Sequence, residues 1–260
     1  MTNFFDVAST TYDNTFTYSK IGLAQRQRVY NYLDAIFKTN KTLNILELNC
    51  GTGFDAIQFA KKGHNVLATD ISKGMINVAN EKTNFENLKF QNLDINEISK
   101  TDFQKKFDII FSNFGGLNCL SSAEMLQFFK NASKLLSEKG KLILVIMPKH
   151  CLWERIYFSL KKEFKKAKRR QTNGFIEANV DGVNVKTWYY NPHDITNLSH
   201  SAFKVNTIKP IGLTIPPSYL EHSFLGSKFC LSIFRVLDSI FTHKRFAKYA
   251  DHFFIELELK

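Results

Sequence analysis

Two glycines, two aspartates and an asparagine are spaced so that together they could grip a nucleoside. Gly51 and Gly53 follow the strand-like run Ile45-Leu46-Glu47-Leu48, within Asn49-Cys50-Gly51-Thr52-Gly53-Phe54-Asp55-Ala56. Glycine lets the chain turn sharply between strand and helix and lets a ligand approach the main chain closely. Asp70 lies 17 residues after Gly53, at the close of the next apolar run, where a carboxylate can accept from both hydroxyls of a ribose. Asp94 closes a third run, Phe90-Gln91-Asn92-Leu93, where a carboxylate could accept from the exocyclic amine of adenine. Asn113 closes a fourth. The glycine pattern alone is weak, because nicotinamide and flavin proteins use nearly the same loop. Each aspartate alone also suits a solvated strand end or a helix cap. Their common register with the loop points to one crevice at the carboxyl ends of parallel strands.

The surrounding pattern supplies elements able to hold these groups in register. Five runs, 44–48, 65–69, 88–93, 107–111 and 141–147, alternate with helical stretches, as βαβ units around a parallel sheet require. Ser121-Ser122-Ala123-Glu124 reads as a capping box opening a helix, with Met125, Phe128, Phe129, Ala132, Leu135 and Leu136 at helical spacing and Gly140 just past its end. Beyond Met147 the alternation changes. Residues 151–168 read as one amphipathic helix with Leu152, Ile156, Leu160 and Phe164 on its apolar face. Residues 183–190 look strand-like, 192–203 helical and 204–213 strand-like. A second amphipathic helix spans 227–241, with Phe229, Ile233, Val236 and Ile240 in phase. The closing run 252–259 alternates Ile255, Leu257 and Leu259 with Glu256 and Glu258, as an antiparallel strand with one face on the core does.

Composition narrows the class. The 260 residues are 44% hydrophobic and 23% charged, enough for a sizeable core, which excludes extended disorder and collagen-like sequence. The strongest apolar run, Leu142 to Met147, is far shorter than the ~20 residues needed to span a bilayer. The opening MTNFFDVAST lacks a basic start and an apolar segment, so it does not read as a signal peptide. Cys50, Cys119, Cys151 and Cys230 form no CxxC, and the seven histidines show no HxxH or HExxH, so neither a disulfide scaffold nor a metal site is expected. A soluble, cytoplasmic protein is the expectation. The net charge of +11 is concentrated in residues 149–170, where nine basic residues oppose Glu154 and Glu163, a net +7.

Taken as an ordered set, ILELNCGTG, NVLATDIS, FQNLD, FDIIFSNFGGLNCL and LLSEKGKLILVIMP resemble the successive motifs of class I S-adenosylmethionine-dependent methyltransferases. The nearest likeness is to the broad group around the ubiquinone/menaquinone-biosynthesis methyltransferases, and it covers residues 5–148. FDVASTTYDNTF resembles that group's N-terminal cap. The resemblance implies an α/β fold: an open, mostly parallel seven-stranded Rossmann-like sheet whose last strand is antiparallel, with an N-terminal helical cap and inserted lid segments. It implies that Glu47, Asn49, Gly51, Thr52 and Gly53 hold the methionine part of S-adenosylmethionine. Asp70 would bind the ribose, Ile71 and Met75 border the adenine, and Asp94 and Ile95 read its edge. Asn113 and Phe114 would lie near the sulfonium, with Tyr12 closing the pocket. Asn49 departs from the family's usual glycine; asparagine tolerates the left-handed region better than most residues.

On this reading the chain divides into a cap (1–42), a cofactor-binding core (43–148), a basic and aromatic insertion serving as substrate lid (149–203), and the last two strands (204–260) with a helical insertion at 214–251. The lid would carry Trp153, Tyr157, Phe158, Phe175, Phe224 and Phe229 over an apolar acceptor, with Trp188 and Tyr189 as wall. His150 and His193 are the candidate general bases, and Tyr190 a candidate hydroxyl for positioning the acceptor. Ser112-Asn113-Phe114-Gly115 stands where enzymes that methylate base or glutamine nitrogens carry Asp/Asn-Pro-Pro-Tyr, so O- or C-methylation of a small or carrier-bound metabolite is favoured. The basic segment 155–170 suits a solvated surface, an acidic acyl-carrier protein or an anionic membrane surface, and nucleic acid is disfavoured. The alternatives are a nicotinamide-dependent oxidoreductase and a non-catalytic cofactor-binding module.

Overall fold

The computed structural model describes residues 4–38, 41–180 and 183–260. Five short runs form parallel strands: β1 (Asn44–Leu48), β2 (Asn65–Asp70), β3 (Leu88–Asn92), β4 (Phe107–Ser112) and β5 (Leu136–Ile146). A two-stranded hairpin, β6 (Ile176–Val180) and β7 (Val183–Thr187), stands apart, and β8 (Phe203–Ile211) and β9 (His252–Leu259) complete the main sheet. The order is β3-β2-β1-β4-β5-β9-β8, with β9 antiparallel to both β5 and β8. This is the mostly parallel seven-stranded sheet with an antiparallel last strand expected from the motifs.

The helices are α1 (Phe4–Ala8), α2 (Lys20–Ile36), α3 (Phe54–Lys61), α4 (Lys73–Glu81), α5 (Ser122–Leu135), α6 (Leu152–Leu160), α7 (Phe164–Ala167), α8 (Pro192–Ser199) and α9 (Lys228–Ile240). Because successive strand residues point to opposite faces, adjacent apolar residues feed two separate cores. Leu46, Ile110, Leu142 and Phe253 pack with Phe128 and Phe129 of α5, while Ile45, Ile109, Ile143 and Phe254 pack with Val29 and Leu33 of α2 and Phe59 of α3. A smaller third cluster joins Ile21 and Ala24 of α2 to Ile215, Leu220 and Leu231, with Trp153, Tyr157 and Phe234 against it.

Register places the chemistry on one rim. Leu48 lies beside both Thr69 and Ser112, and Asp70 beside Asn92, so the residues following β1 to β4 emerge at the same sheet edge.

Four expectations are corrected. First, the capping box at Ser121 and Glu124 is formed in both halves, but β5 begins at Leu136, directly after α5. Gly140 lies within β5, beside an irregularity between Phe107 and Ile109, where a Cβ would come within 2.9 Å of the Phe107 and Ser137 carbonyls. Second, the helix expected over 151–168 breaks after Leu160, where Lys162 adopts φ 59°. Third, its apolar line is turned outward: Leu152, Ile156, Leu160 and Phe164 are exposed, while Trp153 and Glu154 face in. Ion pairing fixes that rotation. Glu154 accepts from Arg169 at 2.6 Å and Arg170 at 2.8 Å, and Arg170 also reaches Asp251 at 2.7 Å. Fourth, α8 belongs to the layered core, because Ile195 and Tyr190 pack with α5 and β8 rather than over a cleft.

Candidate active site

The turn after β1 is built from backbone that few side chains could adopt. Asn49 stands at φ 55°, Gly51 at 52° and Gly53 at 80°. A Cβ on Gly53 would lie 2.6 Å from the Phe90 ring, so this position is closed to larger residues on steric grounds as well. Asn49 is held in its left-handed conformation with its Oδ1 accepting from the Ser112 hydroxyl at 3.2 Å. α3 then starts directly at Gly53 and points its amino end into the rim.

The N-terminal segment folds over this loop and is fastened at two places. Asp6 accepts from the Ser72 hydroxyl at 2.5 Å and from the Gly74 amide at 2.9 Å, tying it to the start of α4. Asp13 accepts from the Thr52 hydroxyl at 2.6 Å and pairs with Lys82 at 2.5 Å, and Lys82 donates to the Thr52 carbonyl. The Tyr12 ring therefore stands over Gly51, and burial pushes its hydroxyl up to about 12. Thr52 contributes both its hydroxyl and its carbonyl to this clasp.

Between cap and loop lies a narrow, partly open pocket, lined by Tyr12, Thr17 and Arg26 on the cap side, by Glu47, Asn49 to Thr52, Phe54 and Asp55, and by Asn113 and Phe114 after β4. Two buried polar atoms at its wall have no partner among the described residues: Oε2 of Glu47 and Nε of Arg26. Burial, then the neighbouring Asp55 charge, pushes the Glu47 carboxyl well above the usual carboxylate range. Arg26 is ion-paired with Asp55, which also accepts from the Tyr30 hydroxyl and, at 2.9 Å, from the Asn113 amide. Its guanidinium lies 4.7 Å from the Phe54 ring centre and 5.0 Å from that of Phe114. The pocket thus offers a buried carboxyl and a buried guanidinium, each with bonding capacity left over among the described residues.

The remaining expected ligands lie along the rim outside this pocket. Asp70 accepts from the Gly51 amide at 2.9 Å through one oxygen and from the Ser72 amide at 2.9 Å through the other. These bonds make the carboxylate a brace of the loop. Met75 is buried and Ile71 half-exposed beside it. Asp94 caps the short helix that begins at Ile95, accepting from the Asn96 amide at 2.8 Å.

The expected catalytic groups are not brought into the pocket. The Tyr190 hydroxyl donates to the Leu120 carbonyl at 2.6 Å and is buried in the main core, so it is committed to structure. His193 is exposed on the first turn of α8, 3.1 Å from Asn197. His150 lies against Tyr249, where burial, then Arg155, Lys248 and Lys149, hold its ring below its ordinary value. Phe224 and Phe229, expected in a lid, point to solvent. Sequence reasoning missed Arg26, Tyr30 and Asp55, for which no motif in α2 or α3 gives a signal. Among the described residues no group of histidine, cysteine or carboxylate side chains could hold a metal ion, and no helix is long and apolar enough to cross a membrane.

Residues 39–198 match the family model described as "Methyltransferase domain". The chain is 30% identical over 144 residues to malonyl-[acyl-carrier protein] O-methyltransferase of Bacillus anthracis, covering 54% of this chain and 49% of that protein. It is 37% identical over 100 residues to malonyl-[acyl-carrier protein] O-methyltransferase 2 of Ilyobacter polytropus, covering 37% and 38%. The putative methyltransferase YqeM of Bacillus subtilis is 33% identical over 101 residues, covering 38% and 40%. The chain therefore spans about half or less of the length of these relatives. Among solved structures, the DhpI–SAH complex superposes with a TM-score of 0.60 at 13% identity, over 98% of this chain and 93% of that one. PH0226 of Pyrococcus horikoshii OT3 gives 0.58 at 17%, over 96% and 99%. At such identities the likeness is one of fold.

Proposed function

The chain belongs to the methyltransferase domain family, and from that premise we propose that it transfers the methyl group of S-adenosylmethionine to a small or carrier-bound metabolite. The observation that carries this reading is the pair of unpartnered buried atoms, on Glu47 and Arg26, beside a loop of bare backbone. A zwitterionic amino-acid moiety matches them: its ammonium suits Glu47 and its carboxylate suits Arg26. The nucleoside would run along the rim to Asp70, Met75 and Asp94, while Asn113, Phe114 and Tyr12 would border the reacting centre. The nicotinamide alternative shares the glycine loop but neither the family nor the antiparallel strand β9.

When bound, S-adenosylmethionine supplies a methyl group on a sulfonium that carries its own leaving group. The protein's part is then to hold an acceptor in line at roughly 3–3.5 Å and to exclude water. Tyr12, Phe54 and Phe114 give the pocket its apolar wall for that purpose. None of its lining residues is a histidine. An acceptor that is already ionised, such as a free carboxylate, needs no proton removed at neutral pH, whereas a hydroxyl or carbon acid does. This supports O-methylation of a carboxylate. The similarity to malonyl-[acyl-carrier protein] O-methyltransferases supports presentation of the acceptor on a carrier, which the basic surface of 155–170 suits by charge.

Incubation with labelled S-adenosylmethionine and acyl-carrier protein loaded with either malonyl or acetyl groups tests this. Methyl incorporation with the malonyl form alone is expected. Equal transfer to both, or transfer only to free hydroxyl compounds, would overturn the carboxylate reading.

A further inference from the structure

α9 rests on the third apolar cluster through Leu231 and Phe234, whose ring lies 5.8 Å from that of Trp153. A helix with one apolar stripe would be satisfied by that contact. α9 has a second one. Phe229, Ile233, Val236 and Ile240 recur at helical spacing on a face that none of the described residues covers, at 72%, 46%, 60% and 65% exposure, and Phe224 just before the helix is 76% exposed. Monomeric proteins rarely leave contiguous apolar surface of this kind without use.

The charge around this ridge selects its occupant. Between Phe224 and Tyr249 stand Lys228, Arg235, Lys244, Arg245 and Lys248, against a single acid, Asp238. Asp238 is fully buried, accepting from the Thr214 amide at 2.9 Å with Arg28 at 3.8 Å, so no carboxylate of this segment reaches the surface. A second copy of the chain would set identical cationic faces against each other across a two-fold axis. An acidic protein would match the charges but would need a groove shaped to this ridge, a demand that a fluid bilayer does not make. An anionic bilayer satisfies both features: apolar side chains enter the acyl boundary while lysine and arginine remain among the headgroups.

We propose that α9 and its flanking turns form a docking surface for anionic phospholipid membranes. By its other face α9 packs on Ile21 and Ala24 of α2, the helix that also carries Arg26. The proposal goes beyond the methyl-transfer reading and does not depend on which acceptor the pocket takes.

Flotation of the full chain with vesicles of phosphatidylcholine, with or without phosphatidylglycerol, is the test. Binding to the anionic vesicles is expected to exceed binding to neutral ones by about tenfold or more and to weaken with added salt. Ile233→Asp with Val236→Asp should reduce it about tenfold or more, with an unchanged melting curve because both side chains are exposed. Should that pair not fold, Phe229→Ser with Ile240→Ser serves the same purpose. Lys244→Glu with Arg245→Glu should weaken binding to anionic vesicles alone. Absence of flotation, or flotation indifferent to these substitutions, would overturn the proposal. So would a dimer that the aspartate pair dissociates, or an acyl-carrier protein complex lost in that variant while vesicles are ignored. Methyl transfer is not the readout, so failure here leaves the proposed reaction untouched.

Discussion

Replacing Arg26 by methionine removes its guanidinium from the pocket lining while keeping the apolar stem of the side chain. Two consequences must be separated. The first is structural: Asp55 loses its ion-pair partner and keeps only neutral donors from Tyr30 and Asn113, and leaving a buried charge unpaired costs about 3–5 kcal/mol. The second concerns binding. If Arg26 holds the carboxylate of the bound amino-acid moiety, losing one partner of a buried, hydrogen-bonded charge pair costs about 2–4 kcal/mol, or roughly thirty- to seven-hundred-fold in affinity. Arg26→Met combined with Asp55→Asn isolates the second, because the amide at position 55 can still accept from Tyr30 and leaves no bare charge, and Asn113 can meet its NH2 group by turning its own side-chain oxygen there in place of the bond from the Phe114 amide. The double variant should melt close to the wild type yet bind S-adenosylhomocysteine about a hundredfold more weakly by calorimetry. An analogue lacking the carboxylate should bind wild type and double variant alike. Unchanged affinity of the double variant for S-adenosylhomocysteine would refute the role assigned to Arg26.

Three further outcomes follow from the geometry. Glu47, held above the usual carboxylate range when the pocket is empty, should lose a proton on meeting an ammonium, so product affinity should rise with pH. Calorimetry in buffers of different ionisation enthalpy should show that release, and Glu47→Gln should abolish it. Gly53→Ala should destabilise the fold by about 2 kcal/mol or more, since its φ of 80° is left-handed and the added carbon would meet Phe90; a denaturant midpoint equal to wild type would contradict this. His64 and His150 are both held below their ordinary value, first by burial and then by nearby lysine and arginine charges. The unfolded chain therefore binds more protons than the folded one just below its own value of about 6.5. The stabilisation is present above that pH and is lost as pH falls through the folded values, which urea midpoints across pH 7.5 to 5 should reveal.

The sheet was legible because its strands are buried on both faces and so appear as short, nearly unbroken apolar runs between turn signals. The rim was legible for the same reason: Asn49, Asp70, Asp94 and Asn113 each end such a run, and parallel register aligns run ends. Two things were hidden. The orientation of α6 and α9 could not be read from phase, because each carries more apolar surface than it buries; the Glu154–Arg170–Asp251 network and the contact between Trp153 and Phe234 decide which face turns inward. Arg26 was hidden because it lies 25 residues before Gly51 with no motif around it, and only the folding of the cap over the loop brings it to Asp55. Tyr190 and His193 looked like site residues because they follow an aromatic run at a strand end. The Leu120 carbonyl claims the hydroxyl of one, and α8 carries the other outward.

Calorimetric titration of the full chain with S-adenosylhomocysteine, beside an identical titration with NADH, addresses the cofactor pocket most directly. One-to-one binding of S-adenosylhomocysteine that Asp70→Ala weakens severely, with no heat from NADH, is the expected result. Heat from NADH and none from S-adenosylhomocysteine would contradict the assignment of this rim to S-adenosylmethionine.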